Sequence, residues 1–197
     1  MLRHDSMPAG RRRGFTLVEI LVVIGIMMIL IATLFPVTSA IRRSQRIRRT
    51  QAAVQAIASG VEAYQNDYGL YPPAGFADEP LNRGNRSLVT LLNMRGGRGW
   101  PYVPTAFLAS NGTIEGGLLR DEWEHPFVYF DVSVTEDPAF AGHNYTGNPG
   151  VKPAMGRDGF CNFPRFQIWS FGPDGKNNGG RSHGTEGADD IANFVLK

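Results

Sequence analysis

A long apolar run near the N-terminus constrains this chain more than any other feature. Residues 15–41 contain a single charged side chain, Glu19. A helix of that length spans about 30 Å or more, which is enough to cross the hydrocarbon core of a bilayer. The run is apolar on every side, which argues against a helix that packs one face onto a soluble core. The sequence therefore predicts a membrane helix over 15–41.

Two features within the run leave alternatives open. Thr38-Ser39-Ala40 has the small residues of a signal-peptidase site, and cleavage there would make Ile41 the N-terminus. The run is longer than the roughly 7–15 apolar residues of a usual signal peptide, which favours a retained helix. Pro36 lacks an N–H and clashes with the preceding turn, so it predicts a kink or a locally melted helix.

Charge is segregated along the chain. In residues 1–50 nine arginines oppose Asp5 and Glu19, which gives a net charge of +7. The remainder carries eleven Lys and Arg against sixteen Asp and Glu, which gives a net charge of −5. Because phosphate binding needs clustered cations, this acidic body argues against a broad nucleic-acid surface.

Arginines flank the apolar run on both sides. Four precede it, and the five that follow it, called the arginine cluster below, are Arg42, Arg43, Arg46, Arg48 and Arg49. Because both flanks are basic, the positive-inside rule does not fix the orientation of the helix. The cluster is interpreted either as a collar that binds lipid headgroups or as a solvated helical face.

The junction that opens the apolar run carries a family resemblance. Its sequence is Arg11-Arg12-Arg13-Gly14-Phe15-Thr16-Leu17-Val18-Glu19. A basic leader, this motif and an unbroken apolar helix together resemble the processing site of type IV prepilins and pseudopilins. The resemblance implies that a prepilin peptidase cuts after Gly14 and N-methylates Phe15. Translation from either Met1 or Met7 would keep the three arginines in the leader.

Glu19 is the exception within the apolar run. A carboxylate inside a bilayer is costly unless it is paired, so its presence there points to a function. A position near enough to the interface to snorkel or to protonate is the alternative. The resemblance implies a partner, the α-amino group of Phe15 on a neighbouring subunit, and this pair would set the register between subunits in a filament.

The helix is predicted to continue past the arginine cluster with one apolar face. That face consists of Val54, Ile57, Val61, Tyr64 and Tyr68, at helical spacing. Gly69 and the following Pro72-Pro73 predict its end. The resulting division is a cleaved leader over 1–14, a transmembrane half over 15–41, an amphipathic half over 42–69 and a periplasmic globular domain with a C-terminal loop over 70–197.

The body is predicted to mix one short helix with a small sheet. Ser87 is the expected N-cap of a helix over 87–92. Residues 93–117 and 135–164 are expected to be irregular. Aromatic and β-branched runs predict strands over 127–134 and 165–171, which would form a small antiparallel sheet against the long helix. The fold class is therefore α+β and pilin-like, with a long kinked N-terminal helix packed on a small antiparallel sheet and irregular C-terminal loops.

The order of landmarks in the body resembles one branch of this family, the major pseudopilin of type II secretion (the protein G class). The matching segments are the helix end at Gly69-Leu70-Tyr71-Pro72, the turn over 121–127, the loop over 170–175 and Ala188-Asp189-Asp190-Ile191. The chain departs from that pattern at Glu122, Glu124 and His125, and in insertions at 135–164 and 176–187.

The resemblance implies a structural subunit of a type II secretion pseudopilus rather than an enzyme. The expected location is the inner membrane, with a single pass, a periplasmic C-terminal domain and extraction into a periplasmic pseudopilus that drives export across the outer membrane. The expected partners are further copies of the chain, other pseudopilins, the prepilin peptidase and the inner-membrane assembly platform, with no nucleic acid. A type IV pilin or minor pilin of a surface filament, serving adhesion, motility or DNA uptake, is the alternative.

In the protein G class the C-terminal loop binds calcium, and the oxygen-rich residues of this chain permit the same. The candidate Ca²⁺ ligands are Asp174 and Asp190, with Asp189 next; Asn177, Asn178 and Glu186 are further oxygen donors. An EF-hand is excluded, because Lys176 occupies its third ligand position and no Glu occupies the twelfth. A flexible acidic loop without a ligand is the alternative.

Other chemistry finds little support in the sequence. The four histidines lack metal-ligand spacing, Asn177 follows Lys176 where a P-loop needs Ser or Thr, and no nucleophile elbow is present. A secreted enzyme is the alternative from another class. Cys161, the one cysteine, cannot form an internal disulfide, which argues against pilins that close a C-terminal disulfide loop; we expect it to be a small buried hydrophobe.

Overall fold

The computed structural model describes residues 14–75, 81–93, 101–103, 114–115, 117–133, 142–181 and 189–194, with the backbone alone at 33–40 and 114–115. The chain divides into two compact units, Met1–Arg43 and Ser44–Lys197. The N-terminal unit is helical from Leu17 onward. The second unit is built on the remainder of the same helix, a second helix and short strands.

Helix α1, Leu17–Tyr68, is continuous α-helix through Pro36. A locally melted turn at Pro36 is therefore not observed, and a kink there stays a prediction. The helix ends where the sequence predicts, because Gly69 adopts a left-handed φ of 76° and donates its N–H to the carbonyl of Gln65 at 2.7 Å.

The predicted apolar face of α1 is confirmed over four of its five positions. Val54, Ile57, Val61 and Tyr64 are buried. The prediction is wrong for Tyr68, which is 52% exposed. Tyr68 is the last residue of the helix, and its ring packs on that of Tyr64 with centroids 4.6 Å apart instead of entering the core.

Helix α2, Arg83–Leu92, begins four residues before the predicted start. Its N-cap is Asn82, in the left-handed conformation with φ of 56°. The prediction that Ser87 caps this helix is wrong. Ser87 is buried within the helix and its hydroxyl donates to the carbonyl of Pro73 at 2.5 Å. The hydroxyl thus fixes the segment that follows α1.

Nine short strands follow α2 in the described residues. They are β1 Ile114–Glu115, β2 Leu118–Leu119, β3 Val128–Asp131, β4 His143–Tyr145, β5 Asn148–Val151, β6 Met155–Gly156, β7 Gly159–Phe160, β8 Phe166–Ser170 and β9 Ile191–Ala192. The main sheet is antiparallel in the order β3-β8-β9. It confirms the predicted pair of strands and adds β9 from the segment that contains Asp189 and Asp190.

The main sheet is buried on both faces, and successive residues alternate between two hydrophobic clusters. Tyr129 and Ile168 are cross-strand neighbours and pack with Ile57 and Val61 of α1. Val128 and Trp169 belong to the second cluster. This alternation with period two explains why every residue of β3 and β8 is buried, since neither face of the sheet meets water.

The second face of the sheet is covered by a part of the chain that was expected to be irregular. Over 135–164 the structure instead contains two antiparallel hairpins, β4–β5 and β6–β7. Tyr145 and Val151 enter the second cluster from the first hairpin. Cys161 is buried and free, as expected. Residues 135–141 of that prediction lie outside the described residues, as does most of the predicted loop 93–117, of which 114–115 forms β1.

Candidate functional site

The predicted cleavage junction lies just before α1. Gly14, Phe15 and Thr16 are not helical, and all three are exposed. A Cβ atom added at Gly14 would meet nothing within 4 Å. Among the described residues, packing therefore does not require glycine at this position. The predicted leader before Gly14 lies outside the described residues.

Thr16 caps the helix and fixes the backbone of Glu19. The amide of Glu19 donates to Oγ1 of Thr16 at 3.3 Å and to its carbonyl at 3.1 Å. Thr16 and Glu19 have the spacing of a capping box, a signal that our sequence analysis missed. The carboxylate of Glu19 also lies in the first turn, where the helix dipole favours negative charge. The backbone of Glu19 thus belongs to the N-terminal cap of α1, whereas the role predicted for its carboxylate lies in assembly.

The N-terminal part of α1 exposes its apolar side chains. Every large apolar residue from Phe15 to Ile31 is exposed, over a range from 42% at Val23 to 80% at Leu17. A continuous apolar surface of this extent marks a site of contact with a membrane or with other protein.

No helix of the described residues is long and apolar enough to span a membrane.

The predicted span of 15–41 includes residues 33–40, whose side chains lie outside the described residues. The transmembrane assignment therefore stays a prediction. In the arginine cluster all five side chains are exposed. One of them, Arg49, lies 3.6 Å from a carboxylate oxygen of Glu122.

Asp190 is the most unusual residue of the predicted calcium loop. It is 1% exposed, and its Oδ2 accepts from the amides of Asn178 at 2.9 Å and Gly180 at 2.8 Å. Its buried Oδ1 has no hydrogen-bond partner among the described residues. The pKa of Asp190 is raised to about 7, chiefly by burial and also by the charges of Asp189 and Asp174, while the two amide hydrogen bonds lower it.

The structure brings the three predicted calcium ligands into one neighbourhood. Oδ2 of Asp189 accepts from the amide of Asp174 at 3.2 Å, and both carboxylates act on the pKa of Asp190. Asp174 is exposed, and its Oδ1 accepts from the amide of Lys176 at 2.8 Å. The buried carboxylate is thus flanked by two further carboxylates.

The other predicted oxygen donors are only partly available. Oδ1 of Asn177 accepts from the indole Nε1 of Trp169 at 3.3 Å and from the amide of Gly179 at 3.1 Å, so it stabilises the loop itself. Glu186 lies outside the described residues. Within the described ranges, no group of three or more His, Cys, Asp and Glu side chains could hold a metal ion. A complete ligand set is therefore not formed by those side chains alone.

Comparison with known proteins identifies the N-terminal segment. Residues 10–35 match the family model described as the prokaryotic N-terminal methylation motif. No curated protein and no solved structure shows a significant match to this chain.

The matched residues contain the Gly14–Phe15 junction, Glu19 and most of the exposed apolar surface. Such a motif implies a prepilin that is cut and methylated by a prepilin peptidase and assembles into a filament. The pilin-like family is generally made of structural subunits rather than enzymes. The α+β fold, with its long N-terminal helix and small antiparallel sheets, agrees with this. The methylation motif at residues 10–35 supports the assignment of this chain to the type IV pilin-like family.

Proposed function

We propose that this chain is a structural subunit of a type II secretion pseudopilus. It is cleaved after Gly14, methylated at Phe15, held in the inner membrane by residues 15–41 and polymerised to drive protein export across the outer membrane. Its body lies in the periplasm, and its partners are further copies of itself, other pseudopilins, the peptidase and the assembly platform. The observation that carries this proposal is the exposed apolar part of α1, which begins directly after the Gly14–Phe15 junction.

The exposed apolar surface must be shielded from water, and the proposed function provides two environments that do so. Burial of one large aliphatic side chain is worth about 1.5–3 kcal/mol, so leaving the whole run from Phe15 to Ile31 in water is prohibitive. A bilayer covers it before assembly, and the helices of neighbouring subunits cover it in the filament. Glu19 then fixes the register, because its carboxylate pairs with the methylated amino group of Phe15 on the next subunit.

Three features of the body favour a pseudopilin over a surface pilin. The chain has the same order of landmarks as the protein G class: the helix end at Gly69, the turn over 121–127 and the loop between β8 and β9, called the acidic loop. The acidic loop also meets the main sheet at β9, directly after Asp190. Cys161, the one cysteine of the chain, is free, so the loop is not closed by a disulfide.

The acidic loop fits calcium in its chemistry. Ca²⁺ prefers carboxylate and carbonyl oxygens, and Asp190 offers a buried oxygen that no described donor satisfies. We propose Asp190 and Asp174 as ligands, with Asp189 next; further oxygens would come from backbone carbonyls and water. When bound, the ion would offset the repulsion among the three carboxylates and keep Asp190 ionised.

Deletion of the gene tests the proposed function. We expect an exported protein to accumulate in the periplasm, with adhesion, motility and DNA uptake unaffected, and plasmid-borne wild type to restore export. Normal export together with loss of surface filaments would instead indicate the type IV pilin alternative.

Thermal melting tests the calcium site. Millimolar calcium should raise the melting temperature of the full chain in detergent relative to chelator, because the ion binds the folded state alone. Asp174→Ala should reduce this shift, whereas Asp158→Ala, at an exposed acidic residue in the turn between β6 and β7, should leave it unchanged. An unchanged wild-type melt would rule out the calcium site, and a full shift in Asp174→Ala would move it elsewhere.

A further inference from the structure

A buried network based on Asp121 joins the turn before the main sheet to the loop after β8. Asp121 is 1% exposed. Its Oδ1 accepts from the amides of Trp123 and His125, each at 2.9 Å, and this closes the turn over 121–125. Its Oδ2 accepts from the hydroxyl of Ser170, the last residue of β8, at 2.5 Å. The carboxylate therefore ties the two segments together.

The same network continues into the acidic loop. The amide of Gly172 donates to Oγ of Ser170 at 2.9 Å. Although Ser170, His125 and Asp121 lie together, they do not form a catalytic triad, because the hydroxyl donates to the carboxylate rather than to the imidazole and Ser170 is fully buried. The arrangement holds backbone in place.

His125 contacts the turn formed by residues 172–175, called the glycine turn here. Its Nδ1 lies 3.2 Å from the carbonyl of Gly172 and 3.7 Å from Oδ2 of Asp121. Gly175 has a left-handed φ of 68°, and a Cβ atom placed on it would lie 2.7 Å from Nε2 of His125. The imidazole thus covers Gly175, and with Nδ1 protonated it donates to the carbonyl of Gly172.

The glycine turn carries Asp174 toward the two carboxylates that precede β9. Inside the turn, the amide of Gly175 donates to the carbonyl of Gly172 at 3.4 Å. The amide of Asp174 donates to Oδ2 of Asp189 at 3.2 Å. Whatever fixes the conformation of the turn therefore also fixes where Asp174 stands relative to Asp189 and Asp190.

We propose that His125 is a positioning residue for calcium, which it does not touch itself. By holding the carbonyl of Gly172 and covering Gly175, it keeps the glycine turn in the conformation that presents Asp174, so less conformational freedom is lost when the ion binds. This inference rests on the calcium site proposed above. It assigns a role to a residue at which the chain departs from the protein G pattern.

Calcium titration of two matched variants tests the inference. In His125→Asn the amide Nδ2 is attached to Cγ, as Nδ1 is in histidine, so it can still donate to Gly172. In His125→Leu the donor is lost while apolar cover remains. We expect His125→Leu to raise the calcium Kd about tenfold and His125→Asn to stay within about threefold of wild type, as is usual for residues that orient metal ligands. Isothermal titration calorimetry of the full chain in detergent gives these constants.

Melting temperatures in chelator separate positioning from general stability. A weaker Kd in His125→Leu, with restored affinity in His125→Asn and similar melting in chelator, supports the inference. A wild-type Kd in His125→Leu overturns the positioning role and leaves the calcium site standing, whereas no calcium binding by wild type overturns both. Should His125→Leu fail to fold, His125→Ala replaces it, because it lacks both the donor and the ring; a wild-type Kd there overturns the role equally.

Discussion

Two parts of the same helix differ in the exposure of their apolar side chains. Between Phe15 and Ile31, α1 exposes every large apolar residue. Between Ala53 and Val61, all apolar residues of α1 except Ala56 are buried, with Ile57 fully enclosed by the body. Composition alone does not separate these segments, because both are rich in aliphatic residues. What differs is whether the polar residues leave one face or all faces apolar.

The difference shows which part of α1 is packed against the chain's own residues and which part is not. The C-terminal part of α1 has its partner within the chain, in strands such as β3 and β8. The N-terminal part finds no such cover among the described residues of its own unit, so its stability depends on a membrane or on other subunits. On the proposed function, insertion into the membrane or assembly into the filament supplies the cover that this part of the helix needs.

Substitutions at Glu19 should have the largest effect on the N-terminal part. Glu19→Ala should still insert into the membrane, because removal of a charge makes insertion easier. It should fail to form filaments in a reconstituted secretion system, since it lacks the charge that we propose to pair with Phe15 of the neighbouring subunit. Filament yield by electron microscopy and membrane content by immunoblot measure the two effects.

Two controls separate charge pairing from the capping role of Glu19. Glu19→Gln retains a side chain suited to the capping box but loses the charge, so we expect it to fail as Glu19→Ala does. Thr16→Ala loses the cap, at a cost of about 1 kcal/mol, but retains the charge and should assemble. Normal assembly of Glu19→Gln would contradict the charge-pairing account and leave helix capping as the role.

A matched pair of isoleucines measures the difference between the two parts directly. Ile57→Ala should lower the free energy of unfolding of the body by about 2–5 kcal/mol, because Ile57 is fully buried. Ile24→Ala, at a side chain that is 50% exposed, should change it by less than about 0.5 kcal/mol. Denaturant titration of the full chain in detergent gives both values. Equal effects would mean that the two parts of α1 do not differ energetically.

The calcium-free body should lose stability as pH rises, and Asp190 is the reason. Burial raises its pKa to about 7, whereas in the unfolded chain the pKa is near 4. Between these values the folded protein holds a proton that the unfolded chain has released, so stability falls from about pH 4 to about pH 7 and stays low above that. We expect a loss on the order of a few kcal/mol between pH 5 and pH 8 in calcium-free buffer.

Asp190→Asn isolates this contribution from other titrating groups. The amide oxygen still accepts from Asn178 and Gly180 but does not titrate. Its free energy of unfolding should therefore vary less between pH 5 and pH 8 than that of wild type. An identical pH dependence in both proteins would show that the carboxylate of Asp190 does not prefer its protonated form in the folded state.

The sequence predicted best those elements whose patterns are local. The apolar face of α1, its end at Gly69 and the strands β3 and β8 follow from periodicity and from residue type. The processing motif was also recognisable, since residues 10–35 match the prokaryotic N-terminal methylation motif. These features depend on residues close together in the chain.

The sequence predicted less well the elements that form through distant contacts. The hairpin β4–β5 contains Gly and Pro and has little strand propensity, and it is stabilised because Tyr145 and Val151 pack on the far face of the main sheet. Serine is a residue type that is common at N-caps, but the hydroxyl of Ser87 donates to the carbonyl of Pro73 instead. The burial of Asp190 and the contacts of His125 likewise depend on residues from separate segments.

The N-terminus of the mature protein tests the central claim most directly. Mass spectrometry of protein extracted from membranes should find a chain that begins with N-methylated Phe15. Gly14→Val should retain the leader, whereas Gly25→Ala, at another glycine whose added Cβ would meet nothing within 4 Å, should be processed normally. A wild-type chain that begins at Ile41 would contradict the account, because the whole exposed apolar run would then be a discarded signal peptide.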